Sequence, residues 1–243
     1  MNTTTLRTLT KGCGTLALAL ATLSLVACGG DSDNDDDTFS YRISLTNLTA
    51  GQPLSPLAVV LHDADWRALQ VGEPASVALE NLAESGAVSD LLAQAEAADS
   101  DYATMTGAGI ILPGASETLE IETDASGTFF LTLLSMLVNT NDGIVALNGA
   151  DLEGLAVGDQ LTLDLMAYDA GTEANSESAD TVPGPAATGG LREGFNASRD
   201  DIRDEVFAHA GVVTSDDGLT RSVLTEAHRW QSPVARVVVR RIE

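Results

Sequence analysis

The sequence predicts an all-β protein, an antiparallel β-sandwich with short helical insertions. Three observations predict it. Apolar and polar residues alternate along several short stretches, turn-forming residues separate these stretches, and helical spacing is concentrated in two short regions. Apolar residues make up 44% of the 243 residues, which is enough for a core, but aromatic residues make up 4%. The predicted core therefore depends on Val, Leu, Ile and Ala.

Seven stretches read as strands. Residues 39–46 and 161–168 alternate apolar with polar side chains, which is typical of half-buried strands. Residues 129–138 are apolar on both faces, which favours a central strand covered on both sides. The remaining predicted strands are residues 57–61, 119–122, 144–147 and 234–242.

Two regions have helical patterns. Within residues 74–98, Gly86 supplies a stop signal for a first helix and Ser89 can cap a second one. Residues 198–209 fit one amphipathic helix with Ile202, Val206 and Phe207 facing inward, and Asp200 and Asp201 are solvated charges at its start. Residues 174–190 are rich in Ser, Ala, Pro and Gly and predict a long loop.

The chain is strongly acidic. It has 36 Asp and Glu residues against 12 Lys and Arg, which gives a formal net charge of −24. Such a surface argues against nucleic acid and against anionic lipid headgroups as partners. It favours cations or basic partners, or it reflects adaptation to a salty habitat.

The N-terminal region reads as a targeting segment. A positive start with Arg7 and Lys11 precedes a small and apolar stretch, residues 13–26, which is too short to span a membrane. Residues 25–29 (Leu-Val-Ala-Cys-Gly) resemble the bacterial lipobox. We therefore expect lipidation of Cys28 and an envelope protein anchored in the membrane, and Gly29 after the cysteine favours the outer membrane, on either its periplasmic or its outer face.

These patterns predict a domain organisation. Residues 1–27 form a lipoprotein signal peptide, and residues 28–38 form an acidic flexible tether. Residues 39–243 form one β-sandwich domain. Within it, residues 174–232 are a long loop and helical insertion before the last strand.

Four segments resemble a known family. They are residues 61–76, which contain Leu-His and then Leu-Gln-Val-Gly-Glu-Pro-Ala-Ser, residues 82–86 (Leu-Ala-Glu-Ser-Gly), residues 134–143 (Leu-Ser-Met-Leu-Val-Asn-Thr-Asn-Asp-Gly) and residues 168–173 (Tyr-Asp-Ala-Gly-Thr-Glu). Together they resemble the spondin N-terminal domain found in F-spondin and mindin, over about residues 39–185. The resemblance implies a C2-like antiparallel β-sandwich with a calcium site.

The resemblance also implies a ligand set for Ca²⁺. Position by position, the family's ligands fall on Asp142, Asp169 and Glu173. The chain departs from the family at Gly143, where the family has Trp, and at Glu173, where it has Asp. Taken without the resemblance, both turns have ordinary roles as β-turns. We expect binding in the range of extracellular modules, with a Kd of about 10⁻⁴ to 10⁻³ M.

The sequence contains no Gly-x-Ser-x-Gly, phosphate-binding loop or His-Glu-x-x-His motif. We therefore predict a non-enzymatic, lipid-anchored binding or adhesion module of the cell envelope, with a protein or glycan partner. One alternative is a structural envelope subunit without a ligand. The other is a glycan hydrolase that uses paired carboxylates, with Glu84 or Asp164 as candidates.

Overall fold

The computed structural model describes residues 38–124, 127 and 129–243. In this part of the chain the fold consists of nine strands, two α-helices and two short 3₁₀ helices. The strands are β1 (Phe39–Asn47), β2 (Ala58–His62), β3 (Ala103–Thr106), β4 (Ser116–Thr123), β5 (Phe130–Met136), β6 (Gly143–Asp151), β7 (Gln160–Asp169), β8 (Phe207–Ala208) and β9 (Ala235–Arg241). The α-helices are α1 (Val77–Ser85) and α2 (Ser89–Ala98), and the 3₁₀ helices are Ser215–Asp217 and Glu226–His228.

All of these strands pair antiparallel, in the order β3-β2-β5-β6-β7-β9-β1-β4. Strand β7 joins the two halves of the sandwich. Its first six residues pair with β9, whereas its last four pair with β6. The short strand β8 also pairs with the end of β7, opposite Tyr168 and Asp169.

The main core lies between the two halves. Alternating residues of β1, β5 and β9 point into it, and it consists mostly of aliphatic side chains, as the composition predicts. Its fully buried members include Ile43, Leu45, Val59, Leu61, Leu131, Leu133, Val237 and Val239. Burial of each such side chain contributes roughly 1.5–3 kcal/mol.

A second core lies between the two helices and the outer face of β2, β5 and β6. It includes Val60, Leu134 and Ile144 from the strands and Leu79, Leu82 and Leu91 from the helices. Because the helices cover the outer face of β5, that strand is apolar on both sides. The Ser76 side chain caps α1 by accepting the Leu79 N–H, and Gly86 ends the helix in the left-handed conformation.

The predicted all-β class is confirmed, and each of the seven predicted strands overlaps an observed one. Strands β3 and β8 were not predicted. The predicted helix over residues 198–209 is wrong: the segment is irregular up to β8, and Ile202, expected to face inward, is 93% exposed. Its backbone groups form hydrogen bonds with other segments. For example, the Val206 N–H donates to the carbonyl of Glu73, so the hydrogen bonds of a helix do not form.

Two findings concern the membrane and the N-terminal region. No helix in the described ranges is long and apolar enough to cross a membrane. The predicted signal peptide, the predicted lipidation site at Cys28 and all but the last residue of the predicted tether lie outside the described residues.

Candidate metal centre

Two acidic turns meet at one end of the sandwich. The first turn precedes β6 and ends at Asp142, and the second begins at Asp169, the last residue of β7. The β6–β7 ladder pairs Gly143 directly with Asp169. Strand register therefore brings the predicted ligands Asp142 and Asp169 together, although they are far apart in sequence.

The Asp142 carboxylate is fully buried, and its two oxygen atoms have different surroundings. Oδ2 accepts the backbone N–H groups of Thr172 at 2.8 Å and Glu173 at 3.1 Å. Oδ1 is buried as well, and it has no hydrogen-bond partner among the described residues. Burial raises the pKa of Asp142, and the nearby carboxylate of Asp169 raises it further.

The Asp169 carboxylate is held in place by its own turn. Oδ1 accepts the Gly171 N–H at 2.9 Å, and Oδ2 accepts the Asn175 amide at 2.7 Å. Burial raises the pKa of Asp169 against the effect of these hydrogen bonds. The carboxylate is thus fixed in position and is costly to keep charged without a cation.

A third carboxylate, that of Asp201, completes the cluster. One carboxylate oxygen from each of Asp142, Asp169 and Asp201 lies within 4.8 Å of the other two. Oδ2 of Asp201 is buried and, within the described ranges, lacks a hydrogen-bond partner. Two buried carboxylate oxygens without donors are thus present in one small acidic cluster.

This arrangement fits Ca²⁺. Calcium binds carboxylate oxygens at about 2.4 Å, so two ligands of one ion can be at most about 4.8 Å apart. The three oxygens satisfy that limit. A cation would also give Asp142 Oδ1 and Asp201 Oδ2 the positive partner that they lack, and it would offset the repulsion among three charges.

Glu173, the third ligand implied by the resemblance, lies beside this cluster and is not one of its three members. Its side chain is hydrogen-bonded to Asn141, and burial together with the charge of Glu84 raises its pKa to about 8. Its backbone N–H contacts Asp142. A ligand role for the Glu173 carboxylate stays a prediction.

The surroundings hold several more buried acids. Glu80, Glu84 and Glu177 are each at most 2% exposed. Glu80 forms an ion pair of 2.7 Å with Arg199. Glu84 accepts the Asn196 N–H at 2.8 Å, and burial raises the pKa of Glu84.

The two carboxylates proposed for the alternative hydrolase have separate partners. Glu84 is buried in α1. Asp164 is on β7, where its carboxylate forms a bidentate contact with Arg236, with oxygen–nitrogen distances of 2.7 and 3.1 Å. The ion pair has both side chains about half exposed, so it lies on the open surface of the sheet.

Sequence reasoning did not identify Asp201 as a site residue. Asp201 is in an irregular segment, and the Asp200–Asp201 pair resembles the charged start of a helix. No local pattern marks its approach to Asp169, because that approach depends on tertiary contacts.

A comparison with protein families gave one match. A sequence profile described as Spondin_N matches residues 47–186, which is more than half of the chain. The matched region contains both turns and their Asp142 and Asp169, and it ends before Asp201. No curated protein matches the chain.

Proposed function

Because the chain belongs to the spondin N-terminal domain family, we propose that it is a non-enzymatic binding module of the cell envelope whose loops are stiffened by bound Ca²⁺. One observation carries the calcium part of this proposal: three carboxylates converge within 4.8 Å, and two of their buried oxygens have no donor among the described residues. Fold alone does not determine function, so the proposal depends on this site.

Asp142 and Asp169 are the core of the proposed calcium site, with Asp201 as a third carboxylate ligand. Calcium prefers six to eight oxygen ligands, so water or backbone carbonyls would complete the set. The ion would act as a structural cross-link and as a neutralising charge. It would reinforce the contact between the two turns that Asp142 already makes through Thr172.

The sequence supports the proposed cellular location and the proposed partner. A lipid anchor on Cys28 would hold the protein in the envelope, with the acidic residues 31–37 as a spacer. The net charge of −24 supports a basic partner, whether protein or glycan, and opposes nucleic acid. Loops held by calcium at the end of the sandwich would form the contact surface.

Thermal unfolding tests the calcium site. We expect CaCl₂ at about ten times Kd to stabilise the protein by about 1.4 kcal/mol relative to EDTA. MgCl₂ at the same concentration should stabilise it less, since Mg²⁺ demands a smaller octahedral site. Identical unfolding curves in CaCl₂ and EDTA would count against calcium binding.

Three experiments test the module itself. Cys28→Ala should move the protein from the membrane fraction to the soluble fraction. Crosslinking followed by affinity purification, with and without calcium, should capture a discrete envelope partner with the wild type. Asp169→Asn should capture less of the same partner, and loss of the gene should reduce surface attachment. Unchanged attachment and no calcium-dependent partner would refute the binding role.

A further inference from the structure

Residues 199–206 lie beyond the family-matched region and cover the second acidic turn. The Asp200 N–H donates to the carbonyl of Thr172 at 3.2 Å, and the Asp200 side chain accepts the Ala174 N–H at 2.7 Å. At Gly171 the backbones approach so closely that a Cβ atom would lie 2.2 Å from the carbonyl oxygen of Glu205. The segment is therefore packed directly on the turn that follows Asp169.

Both ends of this segment are fixed without any cation. At one end, the Arg199 guanidinium forms its 2.7 Å ion pair with the buried Glu80. At the other end, Val206 exchanges two backbone hydrogen bonds of 2.8 Å with Gly72 and Glu73. The ends are thus held by groups that do not belong to the three-carboxylate cluster.

The middle of the segment is held differently. Asp201 reaches inward to Asp169 and Asp142, and its buried Oδ2 has no donor in the described part of the chain. Three carboxylates at this separation repel one another when all are charged. Without a cation, this repulsion therefore opposes the contacts that hold the middle of the segment on the turn.

We infer that the cation acts as a latch for residues 199–206, with Asp201 as the ligand that this chain supplies from outside the family-matched region. Cation binding pulls the middle of the segment onto the turn after Asp169, and cation loss releases it while both ends stay attached. This inference rests on the proposed calcium site. It adds that one surface segment becomes more ordered when the cation binds.

Hydrogen exchange of the full chain, measured by mass spectrometry with CaCl₂ or EDTA, tests the latch. If opening requires release of the ion, calcium at ten times Kd should slow exchange in residues 200–206 by about tenfold. Asp201→Asn should weaken calcium binding and remove the extra protection of this segment. The matched control is Asp204→Asn, because Asp204 is an exposed residue of the same segment that pairs with Arg199, and it should behave as the wild type.

The outcomes separate the latch from the calcium site itself. If calcium protects the turns at residues 139–143 and 169–173 but leaves residues 200–206 unchanged, the latch is wrong and the calcium site stands. If calcium still slows hydrogen exchange of residues 200–206 in Asp201→Asn, the latch is also wrong. If calcium protects no region of the wild type, both proposals fail. The wild-type comparison decides the question even if a variant does not fold.

Discussion

Oδ2 of Asp142 lies 2.8 Å from the backbone nitrogen of Thr172, so a direct hydrogen bond joins the two acidic turns. The same oxygen accepts the N–H of Glu173. We therefore propose two roles for Asp142 on two separate atoms. Oδ2 satisfies buried backbone donors, and Oδ1, which has no hydrogen-bond partner among the described residues, is the atom proposed to bind the cation.

These two roles can be separated by substitution at Asp142. Asp142→Ala leaves two backbone N–H groups without their acceptor, so it should destabilise the metal-free protein by about 2–4 kcal/mol. Asp142→Asn keeps one acceptor oxygen and removes a buried charge, so its stability in EDTA should be within about 1 kcal/mol of the wild type. Urea unfolding in EDTA measures both values, and both variants should lose the stabilisation by calcium.

The control for this pair is Asp164→Ala, which removes an exposed carboxylate paired with Arg236. It should leave the stability close to that of the wild type, because exposed ion pairs contribute little, and it should keep the full calcium effect. An equal loss of stability in Asp142→Asn and Asp142→Ala would contradict the structural role of Oδ2.

Gly171 offers a second test. Its φ of +71° lies in the left-handed region, and a Cβ atom there would collide with the carbonyl oxygen of Glu205. Gly114 has a similar φ of +75°, but a Cβ atom would meet nothing within 4 Å. Gly114→Ala therefore carries only the backbone penalty of about 1–2 kcal/mol.

Gly171→Ala should destabilise the protein clearly more than Gly114→Ala, because residues 199–206 must shift away from the turn. The shift should also weaken calcium binding, whereas Gly114→Ala should leave it unchanged. Chemical unfolding and calcium titration of both variants measure these differences. Equal effects of the two substitutions would show that the close packing at Gly171 contributes neither to stability nor to calcium binding.

The buried carboxyl group of Glu177 should make the stability of the protein depend on pH. Its Oε1 accepts the Val213 N–H, its Oε2 is buried without a donor among the described residues, and burial raises its pKa from 4.5 to about 7. The raised pKa means that the folded state holds the proton more tightly than the unfolded state. The contribution of Glu177 to stability is therefore fully present below pH 4.5 and is lost as the pH rises to about 7.

Glu177→Gln removes this titration and keeps an acceptor for Val213. The stability of the wild type relative to this variant should fall by roughly 3 kcal/mol between acidic and mildly alkaline pH. Urea unfolding of both proteins in EDTA across this range measures the difference. Parallel stability curves for the two proteins would show that the Glu177 carboxyl titrates normally.

Most of the fold follows from local patterns. The alternation in β1 and β7 and the apolar run of β5 are sufficient to identify these strands, and Gly86 marks the end of α1. Strand β3 was missed because its alternating pattern is short. Strand β8 was missed because its two residues pair only through the tertiary contact with β7.

The site was partly predictable for the same reason. Asp142 and Asp169 are at strand ends, and the β6–β7 register brings them together. Asp201 is in a segment whose helical spacing is misleading. Its place is set by Arg199 and Val206, which bind distant parts of the chain. Single-sequence patterns do not encode such contacts.

Calorimetric titration of CaCl₂ into the metal-free wild type, Asp169→Asn and Asp164→Asn tests the calcium site most directly. We predict one site with a Kd of about 10⁻⁴ to 10⁻³ M in the wild type and in Asp164→Asn. We predict no binding heat in Asp169→Asn. Absence of heat in the wild type, or equal heat in Asp169→Asn, would contradict a calcium site between the two turns.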